Sequence, residues 1–208
     1  MRSVDAYSLA VLLLAYLFGS IPAGVLIARL YHVNIREVGS GNIGATNVLR
    51  ALGWGPAIVV FLFDVFKGGF AVLIARWFGI DGWLLGGVAL AAVLGHNFSI
   101  FLGFKGGKGV ATSLGTLIFL DPAVALFSLA VAAVTILLTR FVSAGSLIGT
   151  FAGLAYAYAA GRPAWELTTL TLLAGFVYWK HRENIVRLQQ GNERRLGEKE
   201  VPKKRYPG

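Results

Sequence analysis

Seven apolar stretches recur along the chain, separated by short polar segments: Tyr7–Ala28, Pro56–Trp77, Trp83–Leu102, Val110–Leu120, Pro122–Thr139, Ala144–Ala160 and Trp165–Trp179. A helix needs about 20 mostly apolar residues to cross the hydrocarbon core of a bilayer. The first stretch carries no charge. It exceeds the apolar core of a cleaved leader, roughly 7–15 residues, so an uncleaved helix is expected. The fourth stretch is short: as a helix it rises only about 16 Å. It is expected either to cross halfway or to borrow residues from the glycine-rich segment before it. The fold class predicted is an all-α integral membrane protein of seven segments, one domain over residues 1–200, with a basic tail over 201–208.

Charge orients these segments. With seven passes and the N-terminus outside, the inner side holds Arg36, Arg50, Lys105, Lys108, Arg140 and the nine Lys and Arg after Trp179. The outer side holds Arg2, Arg76 and Arg162. That asymmetry obeys the positive-inside rule and requires an odd number of passes, with the C-terminus cytoplasmic. Trp54, Trp77, Trp83, Trp165 and Trp179 fall near segment ends, where interfacial aromatics belong. Gly145, Gly149, Gly153, Ala157 and Gly161 form a four-residue stripe that reads as helix packing.

Composition agrees. The chain of 208 residues is 56% hydrophobic and 14% charged, with a mean hydropathy of +0.69. A soluble domain carries roughly 25% charged residues. The absence of cysteine excludes disulfides, a thiol nucleophile and thiolate metal sites. His32, His96 and His181 are too far apart in sequence for a metal-binding motif. The net charge is +9, and nine of the 19 Lys and Arg fall in the tail segment after Trp179. Without interleaved stacking aromatics, that tail points to the inner membrane face and not to nucleic acid.

The polar segments carry the candidate chemistry. The first inner loop contains GSGNIG, Gly39 to Gly44, a match to G-x-G-x-x-G with Asp64 twenty residues on. A dinucleotide fold needs a buried strand before those glycines, and here a membrane helix precedes them. Asp64 itself lies within the second apolar segment. What survives is anion chemistry: Gly39, Gly41 and Gly44 are able to take positive φ and expose N–H groups. Ser40 or Asn42 is expected to cap a short helix that passes through Val48 and Leu49 and stops at Gly53. Thr46, Asn47 and Arg50 add donors.

The second inner loop, Gly95 to Ser113, contains GFKGGKG. It fails the P-loop spacing, because Leu102 stands where the first glycine belongs and Gly109 follows Lys108 in place of Ser or Thr. Gly106, Gly107 and Gly109 still permit close approach to a phosphate, with Lys105 and Lys108 supplying charge. His96 and Asn97 stand at the inner end of the third segment. After the last segment, His181 and Asn184 share a helical face, and Glu183 and Arg187 are spaced for an i, i+4 surface pair. Ser143 and Ser146 lie on the same side. Asp64 and Lys67 are three apart inside the second segment, where an ion pair and a site role are both open.

GSGNIGATN with Arg50, GHNFSIFLGFKGGKGVATS and HRENIVRLQQGNE together resemble the motifs of the acyl-phosphate:glycerol-3-phosphate acyltransferases, a family of bacterial membrane enzymes. DVFKG, Asp64 to Gly68, is similar as well. The resemblance implies a multi-pass enzyme of the bacterial plasma membrane with its site at the cytoplasmic face. It implies transfer of a fatty acyl group from acyl phosphate to the sn-1 hydroxyl of glycerol 3-phosphate, without cofactor or metal. No obligate protein partner is implied; membrane lipid surrounds the chain. Ser40, Arg50, Lys108, His181 and Asn184 would orient glycerol 3-phosphate. Gly41, Asn42, Gly44, Thr46, Asn47, Lys67, His96, Asn97, Lys105, Gly106, Gly107, Gly109, Ser143 and Ser146 would contact the phosphates or substrate. The rival expectation is a transporter of an organic phosphate or lipid, which also wants cationic loops and intramembrane charge. A non-catalytic membrane scaffold would leave the glycine loops unexplained.

Overall fold

A computed structural model describes residues 6–198; the basic tail expected over 201–208 lies outside them. The described chain is helical: α1 (Ala6–Gly19), α2 (Ala23–Leu30), α3 (Ala45–Leu52), α4 (Trp54–Trp77), α5 (Gly82–Asn97), α6 (Val110–Leu120), α7 (Pro122–Thr139), α8 (Val142–Ala159), α9 (Ala164–Lys180) and α10 (Arg182–Gln189). Five stretches are long and apolar enough to cross a membrane: Ala6–Leu30, Trp54–Trp77, Gly82–Leu102, Pro122–Thr139 and Val142–Ala159. Helix α9 has 17 residues and α6 has 11.

The first apolar stretch is not one continuous helix. It breaks between α1 and α2 at Pro22, which has no N–H to donate and crowds the preceding turn. The break frees carbonyl groups, and both find buried partners. Ser20 O accepts from Ser99 Oγ at 2.5 Å, and Ile21 O accepts from Lys67 Nζ at 2.9 Å.

Small residues set the helix contacts, as expected where lipid supplies no hydrophobic drive between helices. A Cβ on Gly145 would meet Ile136, one on Gly149 would meet Ala132, and one on Gly153 would meet Ser128, so the small-residue stripe seats α8 on α7. Gly19 and Gly95 do the same between α1 and α5. Gly68 and Gly115 do so between α4 and α6, where added Cβ atoms would strike the carbonyl oxygens of Thr112 and Val65.

Helix α6 takes nothing from the glycine loop before it. Gly109, at φ 79°, turns the chain into the helix, and Val110 is its first residue. Gly68 packs on Thr112 near the start of α6, and Arg76 donates to Leu120 O at its end (3.0 Å). Helix α6 therefore runs beside only the second half of α4. The result is a recess between α4 and α8, into which the glycine loop descends.

Gly115→Val should lower thermal stability in detergent by about 1–3 kcal/mol through overpacking against α4. Gly175→Ala, where an added Cβ meets nothing within 4 Å, should leave the midpoint unchanged. Equal midpoints for the two would contradict the α4–α6 packing.

Candidate active site

Three helices begin around the recess. Gly44, Ala45 and Thr46 at the start of α3, Val110 and Ala111 at the start of α6, and Val142 and Ser143 at the start of α8 all line a cavity of about 200 Å³. None of these helices has a side-chain cap at its N-terminus. First-turn N–H groups and the positive ends of three dipoles thus converge on one space, an arrangement that favours an anion.

The first loop is held by Asn47. Its buried Nδ2 lies within 3.1 Å of Ile35 O and within 2.9 Å of both Val38 O and Asn42 O, while Oδ1 accepts from Ser40 N at 3.0 Å. Asn47 reaches the cavity wall, but its polar atoms shape the loop. The capping expectation fails. Gly44, at φ −76°, is the N-cap residue of α3, so it needs no left-handed conformation. Asn42 Oδ1 binds Gly44 N (2.9 Å), one residue before the helix starts. Gly39 and Gly41 do adopt positive φ, and the stop at Gly53 is as expected. Ser40, Asn42, Thr46 and Arg50 line the cavity.

The second loop is anchored before it reaches the cavity. Gly106 N donates to Asn97 O (3.2 Å) and Gly107 N to His96 O (3.0 Å). A Cβ on Gly107 would strike the His96 ring. Those glycines allow the loop to lie against α5, and their N–H groups are already used. Neither lines the cavity, nor does Gly41; Lys108 and Gly109 do. Lys105 is exposed, and its carbonyl accepts from Arg36 (2.7 Å), which ties the two loops together.

Lys67 lies off the cavity wall as well. It is fully buried, with Nζ 2.7 Å from Asp64 Oδ1, 2.9 Å from Ile21 O and 3.0 Å from His96 Nδ1. Asp64 and His96 face the cavity, so the ion pair supports its wall while the lysine stays behind it. Asn97 is buried and packs toward Gly109, also behind the wall.

The third group gathers around Glu193, a residue the motif reading passed over. Glu193 Oε1 accepts from Ser143 Oγ (3.0 Å) and Asn184 Nδ2 (2.7 Å), and Oε2 accepts from Arg187 Nε (2.7 Å). Asn184 Oδ1 in turn accepts from Lys108 Nζ. Arg187 therefore pairs with Glu193 and not with Glu183, because the chain reverses at Gly191 (φ 71°) and returns to α10. The turn-forming Gly191-Asn192 before Glu193 was the available sequence signal. Arg194 follows, lining the cavity and donating to Gly39 O (3.4 Å). Ser146 sits where the cavity meets an apolar groove of about 170 Å³ between α6, α7, α8 and α9.

Charge and burial tune these groups. Burial, reinforced by the charge of Lys108, pushes the His181 imidazole down to about 4, so the ring is neutral near pH 7. His181 Nδ1 lies 2.7 Å from Val177 O and donates to it, which leaves Nε2 as the ring acceptor. Burial, together with the charge of Arg187, brings Lys108 down to about 8. Burial alone would raise the Glu193 carboxyl, but the bonds from Asn184, Arg187 and Ser143 hold it below its usual range. Among the described residues, no three His, Asp or Glu side chains are placed to hold a metal ion.

A cationic recess among membrane-length helices, continuous with an apolar groove, has the chemistry to hold an amphiphile with an anionic head. Comparison with known proteins agrees. The profile of the glycerol-3-phosphate acyltransferase family matches residues 9–191. A glycerol-3-phosphate acyltransferase of Thermus thermophilus is 68% identical over 188 residues, 90% of this chain and 94% of that protein. Glycerol-3-phosphate acyltransferase 1 of Deinococcus radiodurans is 52% identical over 192 residues, 92% of this chain and 97% of its own length. Among solved structures, the integral membrane glycerol 3-phosphate acyltransferase PlsY superposes in its glycerol 3-phosphate form with a TM-score of 0.89 at 46% identity, covering 92% of this chain and 96% of that one. Its lysophosphatidic acid form gives 0.86 at 44% identity, covering 93% and 97%. The chain belongs to the glycerol-3-phosphate acyltransferase family and is a multi-pass membrane acyltransferase.

Lys108 should give the activity a basic limb. Its ammonium is charged below about 8 and neutral above, so kcat/KM should fall as pH rises through that value. In Lys108→Arg the limb should vanish from whatever activity remains. A wild-type profile flat to high pH would refute the assignment.

Proposed function

We propose that the protein transfers a fatty acyl group from acyl phosphate to the sn-1 hydroxyl of glycerol 3-phosphate, giving lysophosphatidic acid and phosphate for phospholipid synthesis. One observation carries this reading: the anion-binding cavity and the apolar groove are continuous, sharing Phe61, Val110, Ala111, Val142 and Ser146. An acyl phosphate laid across that junction has its chain in the groove and its phosphate beneath the α6 and α8 N-termini. The glycerol 3-phosphate and lysophosphatidic acid forms of the solved relative support the same acceptor and product.

Acyl phosphate is a mixed anhydride, activated without an enzyme nucleophile. The sn-1 oxygen attacks the acyl carbon, the bond from that carbon to the phosphate oxygen breaks, and phosphate leaves with the electron pair. Arg50 and Lys108 neutralise the two phosphates; Ser40 and Asn184 fix the acceptor. His181 Nε2 accepts the hydrogen bond of the attacking hydroxyl and orients it. The proton goes to the departing phosphate, a better base than an imidazole lowered to about 4. N–H groups at the helix starts steady the developing oxyanion. The N–H groups of Gly106 and Gly107 take no part, since they hold the loop to α5.

Seven passes, with the site and C-terminus at the cytoplasmic face of a bacterial plasma membrane, suit this chemistry, because both phosphorylated substrates are made there. Gathering of the polar side chains at one end of the bundle favours an enzyme over a transporter, whose site lies near the midplane. The chain has no cysteine, so single cysteine reporters are clean. Exposed Lys105→Cys should label with a membrane-impermeant reagent only after cells are opened, and exposed Phe78→Cys in intact cells. The reverse pattern overturns this orientation.

Purified protein given acyl phosphate and glycerol 3-phosphate should release lysophosphatidic acid and phosphate in equal amounts. Arg50→Ala and Lys108→Ala should each reduce kcat/KM by roughly a hundredfold or more, as expected for loss of a charge-stabilising donor. Full activity in either variant, or transfer from an acyl thioester alone, would defeat the proposal.

A further inference from the structure

Glycerol 3-phosphate brings two kinds of polar group into the cavity. Its phosphate needs donors, whereas its two hydroxyls need acceptors for their protons. The wall is rich in donors: Arg50, Lys108, Arg194 and the starts of three helices. Its side-chain acceptors are largely taken. Asn42 Oδ1 accepts from Gly44 N (2.9 Å), Asn47 Oδ1 from Ser40 N (3.0 Å) and Asn184 Oδ1 from Lys108 Nζ. Glu193 uses both carboxylate oxygens on Ser143, Asn184 and Arg187.

Asp64 is the exception. It is 3% exposed and lines the cavity from α4. Its ties all fall on one oxygen: Oδ1 lies 2.7 Å from Lys67 Nζ and 3.5 Å from His96 Nδ1. Oδ1 is fully enclosed, whereas Oδ2 is not, and no group among the described residues binds Oδ2. A counterion for Lys67 needs only one carboxylate oxygen, so the second is left for whatever fills the cavity. A bare carboxylate would repel phosphates in the same space. Lys67, behind the wall, offsets that charge and leaves Asp64 as a hydrogen-bond acceptor.

We infer that Asp64 Oδ2 accepts the hydrogen bond of the sn-2 hydroxyl of glycerol 3-phosphate and thereby selects an alcohol at that carbon. The two hydroxyls then go to different acceptors, sn-1 to His181 Nε2 and sn-2 to Asp64. The inference rests on the proposed reaction and adds how its acceptor is chosen. The compound rejected is the 2-keto analogue, dihydroxyacetone phosphate. It carries the same phosphate and the same primary hydroxyl. Its C2 oxygen is a carbonyl, which has no proton to give and turns lone pairs on the carboxylate. A buried charge left unpaired discriminates far better than a loose fit.

The test is kcat/KM at saturating acyl phosphate for three acceptors: glycerol 3-phosphate, 3-hydroxypropyl phosphate, which lacks the C2 hydroxyl, and dihydroxyacetone phosphate. In the wild-type protein, loss of one hydrogen bond to a charged group should lower the second by roughly tenfold or more, and the ketone should fall lower still. Asp64→Asn keeps an oxygen for Lys67 and presents an amide NH2 able to donate to a carbonyl. It should lower kcat/KM for glycerol 3-phosphate and narrow the ratio of alcohol to ketone by roughly tenfold or more. Where that variant does not fold, Asp64→Asn with Lys67→Met removes both charges together and should narrow the same ratio. A carboxylate that only supports the wall would lower all three acceptors by one factor. Equal use of the three acceptors by the wild type, or a ratio unmoved in the variant, overturns the inference and leaves the reaction standing. No product from acyl phosphate and glycerol 3-phosphate overturns the reaction, and the inference with it.

Discussion

A helix that starts partway along its neighbours exposes N–H groups inside the bundle, and α6 starts there, beside the middle of α4. Irregular backbone at that depth is tolerable only where protein or a polar cavity satisfies it. Both conditions hold. The glycine loop lies on the α5 carbonyl groups of His96 and Asn97 on one side. On the other side, the α6 N-terminus faces a cavity walled by Arg50, Lys108 and Asn184. The short helix, the descending loop and the polar recess are one solution to one constraint. Its chemical consequence is a cluster of donors around a partly buried recess, where electrostatic stabilisation is stronger than in bulk water.

The rest of the structure holds that recess in shape. Lys67 ties the break at Pro22 to Asp64 and His96, and the His96 ring backs the glycine loop. Glu193 links α8, α10 and, through Asn184, Lys108. The ties from Lys67 to Ile21 and His96, from Glu193 to Ser143 and from Asn184 to Lys108 join residues distant in sequence, so the site is assembled by the bundle as a whole. The same network explains why the cations are compatible with one another: Glu193 sits among Lys108, Arg187 and Arg50 and offsets their repulsion. Burial, reinforced by the charge of Lys108, leaves His181 neutral, suited to accept a hydrogen bond from a hydroxyl.

Hydropathy alone located the five stretches long and apolar enough to cross a membrane, because an apolar stretch and a helix of that length are the same physical requirement. Motif chemistry located Arg50, Lys108, His181 and Asn184, whose side chains do converge. Lys67 looked equally promising, but its acceptor is the carbonyl of Ile21, freed by a helix break far earlier in the chain. Asn47 looked like a ligand and proves to be the brace of its own loop. Glu193 was hidden because it follows the last helix and is returned to the site by a turn at Gly191. The groove had no signature of its own: Thr150, Leu154 and Leu170 are ordinary helix residues until α7 and α8 close around them. Local pattern was legible in sequence, whereas partners fixed by packing were not.

The central claim is that recessed helix N-termini and Lys108 form the phosphate site. A structure of this protein with glycerol 3-phosphate and a non-transferable acyl phosphate analogue tests it most directly. The account predicts both phosphates inside the cavity, one within hydrogen-bonding distance of Lys108 Nζ and one at the first N–H groups of α6, with the alkyl chain in the groove. Phosphates bound instead at exposed Lys105, or an alkyl chain lying outside the α6–α7–α8 groove, would contradict it.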